Sequence, residues 1–237
     1  MQQYKCLFTI LLILTSGIVF AQKIEKTKNF QVEDLKSKKT GISFRFWIDG
    51  QIIEIEQSAE LVYTGRIINI AEEQPVDPYS QKGKSAQPYT MYFQINELPE
   101  EKVICAFEIM NAYKISDLPD GKSVPGWNRE FLDGYSYMTE QNLNGEYQEK
   151  NYSNPSRQTD LQAATNLMDF YAELKRNLGL GRSFNTFFNK LKVGCYKTER
   201  GGYYLQCRKS KMYVFFYRLL KKKNKTKKLP SIKNHLN

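Results

Sequence analysis

The chain has 237 residues, 35 Lys+Arg against 25 Asp+Glu for a net charge of +10, four cysteines and one histidine. That length and a 41% hydrophobic share suit one ordinary folded domain and exclude a disordered chain, while four cysteines are too few for a disulfide scaffold. The histidine, His235, lies in a lysine-rich stretch, so the body lacks imidazole, which excludes Ser-His-Asp and Cys-His nucleophile pairs and His-ligated zinc or copper.

Residues 1–21 read as a signal peptide. One lysine, Lys5, precedes an apolar run from Cys6 to Phe20, and Val19-Phe20-Ala21 offers compact residues at the −3 and −1 positions of a cleavage site after Ala21. The run is shorter than the ~20 residues of a spanning helix. The expectation is an exported protein, periplasmic or extracellular. Residues 22–40 are polar and without steady period, and read as a flexible lead-in.

From Ile42 the pattern alternates. Ile42, Phe44, Phe46 and Ile48 interleave with Ser43, Arg45 and Trp47, then Asp49-Gly50 leads into a second alternating run, 51–56. Two such runs joined by Asp-Gly predict a β-hairpin. Further strands are predicted over 60–70 and 89–95. Apolar residues at helical spacing, Val103, Ala106, Phe107, Met110 and Tyr113, then predict a helix over 99–114.

A second hairpin is predicted from 132–140 and 146–152, turning at Asn144-Gly145. The strongest helical pattern runs from Leu161 to Leu178, with Thr159 or Asp160 as its cap and Gly179 and Gly181 at its end. A short helix is predicted over 183–192. Cys195 and Cys207 lie symmetrically about Gly201, so a hairpin turning there faces them across two strands and predicts a disulfide in an oxidising compartment. Cys105 is left as a buried thiol. Residues 211–223 suit a helix through Met212, Phe215, Phe216, Leu219 and Leu220, with a strand through Val214, Phe216 and Tyr217 as the alternative, and disorder is predicted beyond.

Strands that arrive as hairpins, with no repeating strand–helix–strand crossover, place the chain in the α+β class. The expected fold is antiparallel hairpins or a meander packed against two to four helices, in a single domain over 41–220. The basic tail, 221–237, follows it. Arg218 and seven lysines after it carry eight of the ten excess positive charges, so the body is nearly neutral.

No P-loop, dinucleotide fingerprint, calcium loop or nucleophile elbow occurs, and no cofactor or metal is implied. The acids at Glu97, Glu100 and Glu101, at Asp117 and Asp120, and at Glu130 and Asp133 read first as turns and solvated faces. One loop stands out for binding: Trp127, Arg129, Phe131 and Tyr135 could form a stacking platform for a sugar ring or a protein partner. Burial of Trp127 in the core is the competing reading. Lys221, Lys222, Lys223, Lys225, Lys227 and Lys228 suit weak contact with an anionic membrane surface, and export makes nucleic acid a poor partner. The function expected is non-catalytic binding of a protein or envelope component. The alternative is a carboxylate-dependent hydrolase acting on glycans or envelope material.

Overall fold

The computed structural model describes residues 24–27, 31–48, 50–74, 90–130, 134–198 and 205–209. Its strands are β1 (Glu25–Thr27), β2 (Ile42–Ile48), β3 (Gln51–Gln57), β4 (Tyr63–Gln74), β5 (Met91–Glu97), β6 (Ser136–Leu143), β7 (Glu146–Ser153), β8 (Gly194–Lys197) and β9 (Leu205–Arg208). The α-helices are α1 (Glu100–Ala112), α2 (Gln162–Leu178) and α3 (Leu180–Lys190). All strand pairs are antiparallel, in the order β1-β5-β4-β3-β2-β6-β7, with β8 pairing β4 and β9. This is the α+β architecture the hairpins predict.

Both two-residue turns form as read. Ile48 pairs with Gln51 across the first, and Leu143 pairs with Glu146 across the second. Asn144 and Gly145 both take positive φ, which suits a tight turn matched to the twist of the strands. Strand β4 starts later and runs further than the sequence suggests. Its length lets β3 pair up to Asn69, while residues 72–74 pair with β8 on the side that β3 has vacated.

Period two gives the sheet two faces. Phe44, Phe46, Ile53, Ile55 and Ile67 bury against Val103, Ala106, Phe107 and Met110 of α1 and Ala164, Leu167, Phe170 and Leu174 of α2. Phe46 meets Phe170 edge-on at 5.3 Å between ring centroids. A smaller cluster gathers Ala71, Tyr92, Phe187, Phe188, Leu191 and Tyr196 between α3 and the β4–β8 corner.

Three details differ from the sequence reading. The lead-in is ordered where described: β1 pairs β5, and Leu35 is buried with its carbonyl accepting from the Asn142 side chain at 2.8 Å. Its polar composition hid this, because apart from Leu35 the ordering contacts are backbone pairs and polar bonds to distant residues, such as Lys38 to Glu56 and Arg45 to the Glu33 carbonyl. The α2 helix starts after Leu161, which occupies the cap position without a side-chain bond, so neither Thr159 nor Asp160 caps it. Instead, Leu161 N–H donates to the Gln158 carbonyl in the preceding turn. The third helix begins three residues early, directly after Gly179, whose φ of +65° ends α2 in the left-handed conformation that glycine adopts without strain.

Candidate functional site

The face of the sheet away from α1 and α2 carries the other half of each alternation. Across six strands, one transverse rung reads Glu149 (β7), Glu140 (β6), Arg45 (β2), Glu54 (β3), Arg66 (β4) and Glu97 (β5). The neighbouring rung reads Asn151, Met138, Trp47, Ile52, Ile68 and Ile95 on the same strands. A charged row thus lies beside an almost wholly apolar one.

Arg45 is the centre of the charged row and is only 2% exposed. Its Nε donates to Glu54 at 2.6 Å, its Nη1 to Glu140 at 3.1 Å and its Nη2 to the Glu33 carbonyl at 2.7 Å. The other Glu54 oxygen accepts from Arg66. Burying a guanidinium is tolerable only when its donors are matched in this way. Glu140 accepts from Arg45 and from the Trp47 indole on Oε2, and from the Tyr147 hydroxyl at 2.9 Å on Oε1. Burial, and then the hydrogen bond to Glu140, push the Tyr147 hydroxyl far above its ordinary range, so it remains a proton donor to that carboxylate.

The β7, β6 and β2 members of the two rungs, with Ile52 of β3, line a groove of about 940 Å³. Its apolar floor is Trp47, Ile52, Ile70, Met91 and Met138, and Ile48 borders it at the strand end while its side chain belongs to the helix-side core. Glu33 and Asp34 from the lead-in form one lip, and Lys197 and Thr198 at the end of β8 form another. The described lining residues include five carboxylates, Glu33, Asp34, Glu72, Glu140 and Glu149, against two cations, Arg45 and Lys197. Since Arg45 is fully engaged by protein acceptors, the groove is acidic within a chain that is basic overall.

Comparison with protein-family models, with curated proteins and with solved structures returns no match. Among the described residues no group of three Cys, His, Asp or Glu side chains is arranged to hold a metal ion, and no helix is long and apolar enough to cross a membrane.

The loop singled out from sequence is not where this groove lies. Trp127 is 7% exposed, packs beside Tyr152 and donates its indole N–H to the Ser153 carbonyl at 3.0 Å. Arg129 is exposed and bonds the Lys122 carbonyl, and Tyr135 is 43% exposed. Phe131 and the tail lysines 221–223, 225, 227 and 228 lie outside the described residues. Cys195 and Cys207 pair in register across β8 and β9 and form the predicted disulfide, while Cys105 on α1 is a free thiol packed at the edge of the core.

Two pairs of the charged row, though not the groove, follow from the hairpin arithmetic. Once Asp49-Gly50 sets Ile48 opposite Gln51, Arg45 must stand opposite Glu54. Likewise Asn144-Gly145 sets Glu140 opposite Glu149. An arginine between two phenylalanines, facing a glutamate between two isoleucines, marks a buried ion pair. What no local pattern reveals is that β2 and β6, far apart in sequence, lie side by side and complete the row.

Proposed function

We propose that this is an exported, non-catalytic binding protein that takes its ligand in the groove on the face of the sheet away from α1 and α2. The observation that carries the reading is the juxtaposition of an apolar floor with an ion network already satisfied by the protein. Ligand sites are typically clefts of ~300–1,000 Å³ lined by apolar and aromatic side chains with a few placed polar groups, and this groove fits that description. Export draws support from the N-terminal signal pattern and from a disulfide, which persists in oxidising compartments. The partner class is a protein or an envelope component. The tail lysines supply a separate, weak attraction to anionic membrane surfaces.

The test is uptake of an apolar fluorescent probe, N-phenyl-1-naphthylamine, by the full chain and by Met138→Arg, which places a charged side chain on the floor. Saturable uptake lost in the variant supports the site, whereas no uptake by the folded wild-type chain counts against it. Mature protein that begins at Gln22 supports export, and retention of Met1 opposes it. Salt-sensitive binding to anionic vesicles, lost on truncation before Lys221, supports the role of the tail.

A carboxylate-dependent hydrolase is the second reading, and one observation favours it. Glu140 and Glu149 face each other, and the Tyr147 hydroxyl lies 2.9 Å from one and 3.4 Å from the other, which puts the pair inside the ~10 Å span used by glycosidases. Against it, three protein donors already occupy the two oxygens of Glu140, leaving it poorly placed to pass a proton to a leaving group. Release of reducing sugar from peptidoglycan that Glu149→Gln abolishes would favour this reading over binding.

A further inference from the structure

We infer that the groove receives a short amphipathic peptide with a basic residue at one end, its cationic group seated against Glu149 beside the buried Glu140 and its apolar side chains laid over Trp47, Ile70 and Met91. This rests on the binding reading above and names the ligand class for the same site.

Charge complementarity carries the first half. Glu140 and Glu149 stand directly opposite on neighbouring strands, an arrangement of like charges that costs stability in a sheet. The single guanidinium that reaches Glu140 is shared with Glu54. Glu149 accepts only from neutral groups, the Tyr147 hydroxyl at 3.4 Å and the Asn151 amide at 3.1 Å, and among the described residues no cation pairs with it. Glu149 therefore lacks an ion pair among the described residues, the Lys36 ammonium lying over the Tyr147 ring instead, and both acids line the groove. A ligand cation placed there relieves the repulsion and gains charge-assisted hydrogen bonds.

Dimensions carry the second half. The lining residues run from β7 through β6, β2, β3 and β4 to β5. Six strands at the spacing of a sheet span roughly 24 Å, which matches about seven residues of extended chain. Four of the five lining acids lie toward the β7 end, the fifth, Glu72, faces Lys197 across the β4–β8 pair at the other end, and the apolar floor lies between. The matching ligand is a chain of several side chains with its charge at one end.

The test uses fluorescence anisotropy of labelled heptapeptides, Lys-Lys-Leu-Leu-Phe-Leu-Leu and its Gln-Gln and Glu-Glu counterparts, with the full-length protein. The lysine peptide is expected to bind roughly tenfold more tightly than the glutamine peptide, the scale of one charge-assisted bond, with the glutamate peptide weakest. Glu149→Gln, an exposed position that leaves the fold unchanged, is expected to erase most of that preference. Equal affinity for the lysine and glutamine peptides overturns the inference and leaves the groove a binding site. Uptake of the naphthylamine probe without any peptide binding has the same meaning. Dodecylamine displacing the probe as tightly as the lysine peptide overturns the peptide assignment. Failure of probe and peptides alike with folded protein removes both readings.

Discussion

Arg45 lies between Glu54 and Glu140 at 2.6 and 3.1 Å, with almost no access to water. Removing one member of a buried ion network leaves an uncompensated charge, and the cost of that exceeds the value of the network itself. Arg45→Ala is expected to destabilise the chain by about 3–5 kcal/mol in urea unfolding. The triple change Arg45→Met, Glu54→Gln, Glu140→Gln removes the three buried charges together, leaves only the partly exposed Arg66 behind, and should recover most of the loss. Equal instability of the single and triple variants would show that the guanidinium acts by packing alone.

Tyr152 is fully buried, and its hydroxyl meets no partner at hydrogen-bond geometry. A buried unsatisfied polar group costs about 1–3 kcal/mol, so Tyr152→Phe is expected to stabilise the protein, by about 1 kcal/mol after loss of the polar contact with Thr139. A fall in thermal midpoint on this substitution would refute the assignment.

Alkaline pH should act most strongly through the same group and Tyr147, the two tyrosines raised furthest. Burial raises Tyr152 well above tyrosine's ordinary range, and burial followed by the Glu140 contact does so for Tyr147. The unfolded chain releases these protons near pH ~10, whereas the folded chain keeps them. Their contribution is therefore complete below pH ~10 and is lost as pH rises beyond it. Lys150, lowered by burial, works the other way and adds stability as pH approaches ~10.4. The expected result is a denaturation midpoint that holds up to pH ~10 and then falls, with the fall delayed in Tyr152→Phe.

Trp127 fills the space between the 121–123 turn and β7, with Tyr152 at 5.9 Å between ring centroids. Trp127→Ala is expected to cost about 3–5 kcal/mol, the range for emptying an aromatic site in a core. Intact thermal stability would return this residue to the candidate ligand contacts.

The Cys195–Cys207 bond closes a short loop outside the helix-packed core. Its reduction, or the double serine variant, should lower stability by about 3 kcal/mol, as loop closure over a dozen or so residues predicts. Amide exchange is expected to quicken first in β8 and β9, and uniform quickening across the sheet would contradict that order.

Much of this fold was legible because each hairpin announces itself locally. Asp49-Gly50 and Asn144-Gly145 fix turns, period two fixes faces, and apolar spacing fixes α1 and α2. The groove was not legible because it is a property of pairings at long range. Arg45 meets Glu140 only because β6 returns to the edge of β2, and the lip at Glu33 and Asp34 comes from a segment whose composition suggests no order. Trp127 drew attention as a lone tryptophan in a loop rich in polar and turn residues, yet loop sequence says nothing about whether a ring points inward. Trp47, read as one of the polar-side positions of its strand, is the tryptophan that lines the groove.

The charged rung also bears on how the chain finds its alignment. On the helix side, Phe44, Phe46, Ile53 and Ile55 are similar enough that sliding β2 by two residues along its neighbours would still bury an apolar row. A slide of one residue is already forbidden, since it would turn every side chain to the wrong face. The two-residue slide is forbidden by Arg45, which would then oppose Met138 or Asn142 on β6 and leave Glu140 without its guanidinium. Greasy contacts hold the sheet together, and a single arginine acts as the proofreading mark that tells one alignment from its near copies.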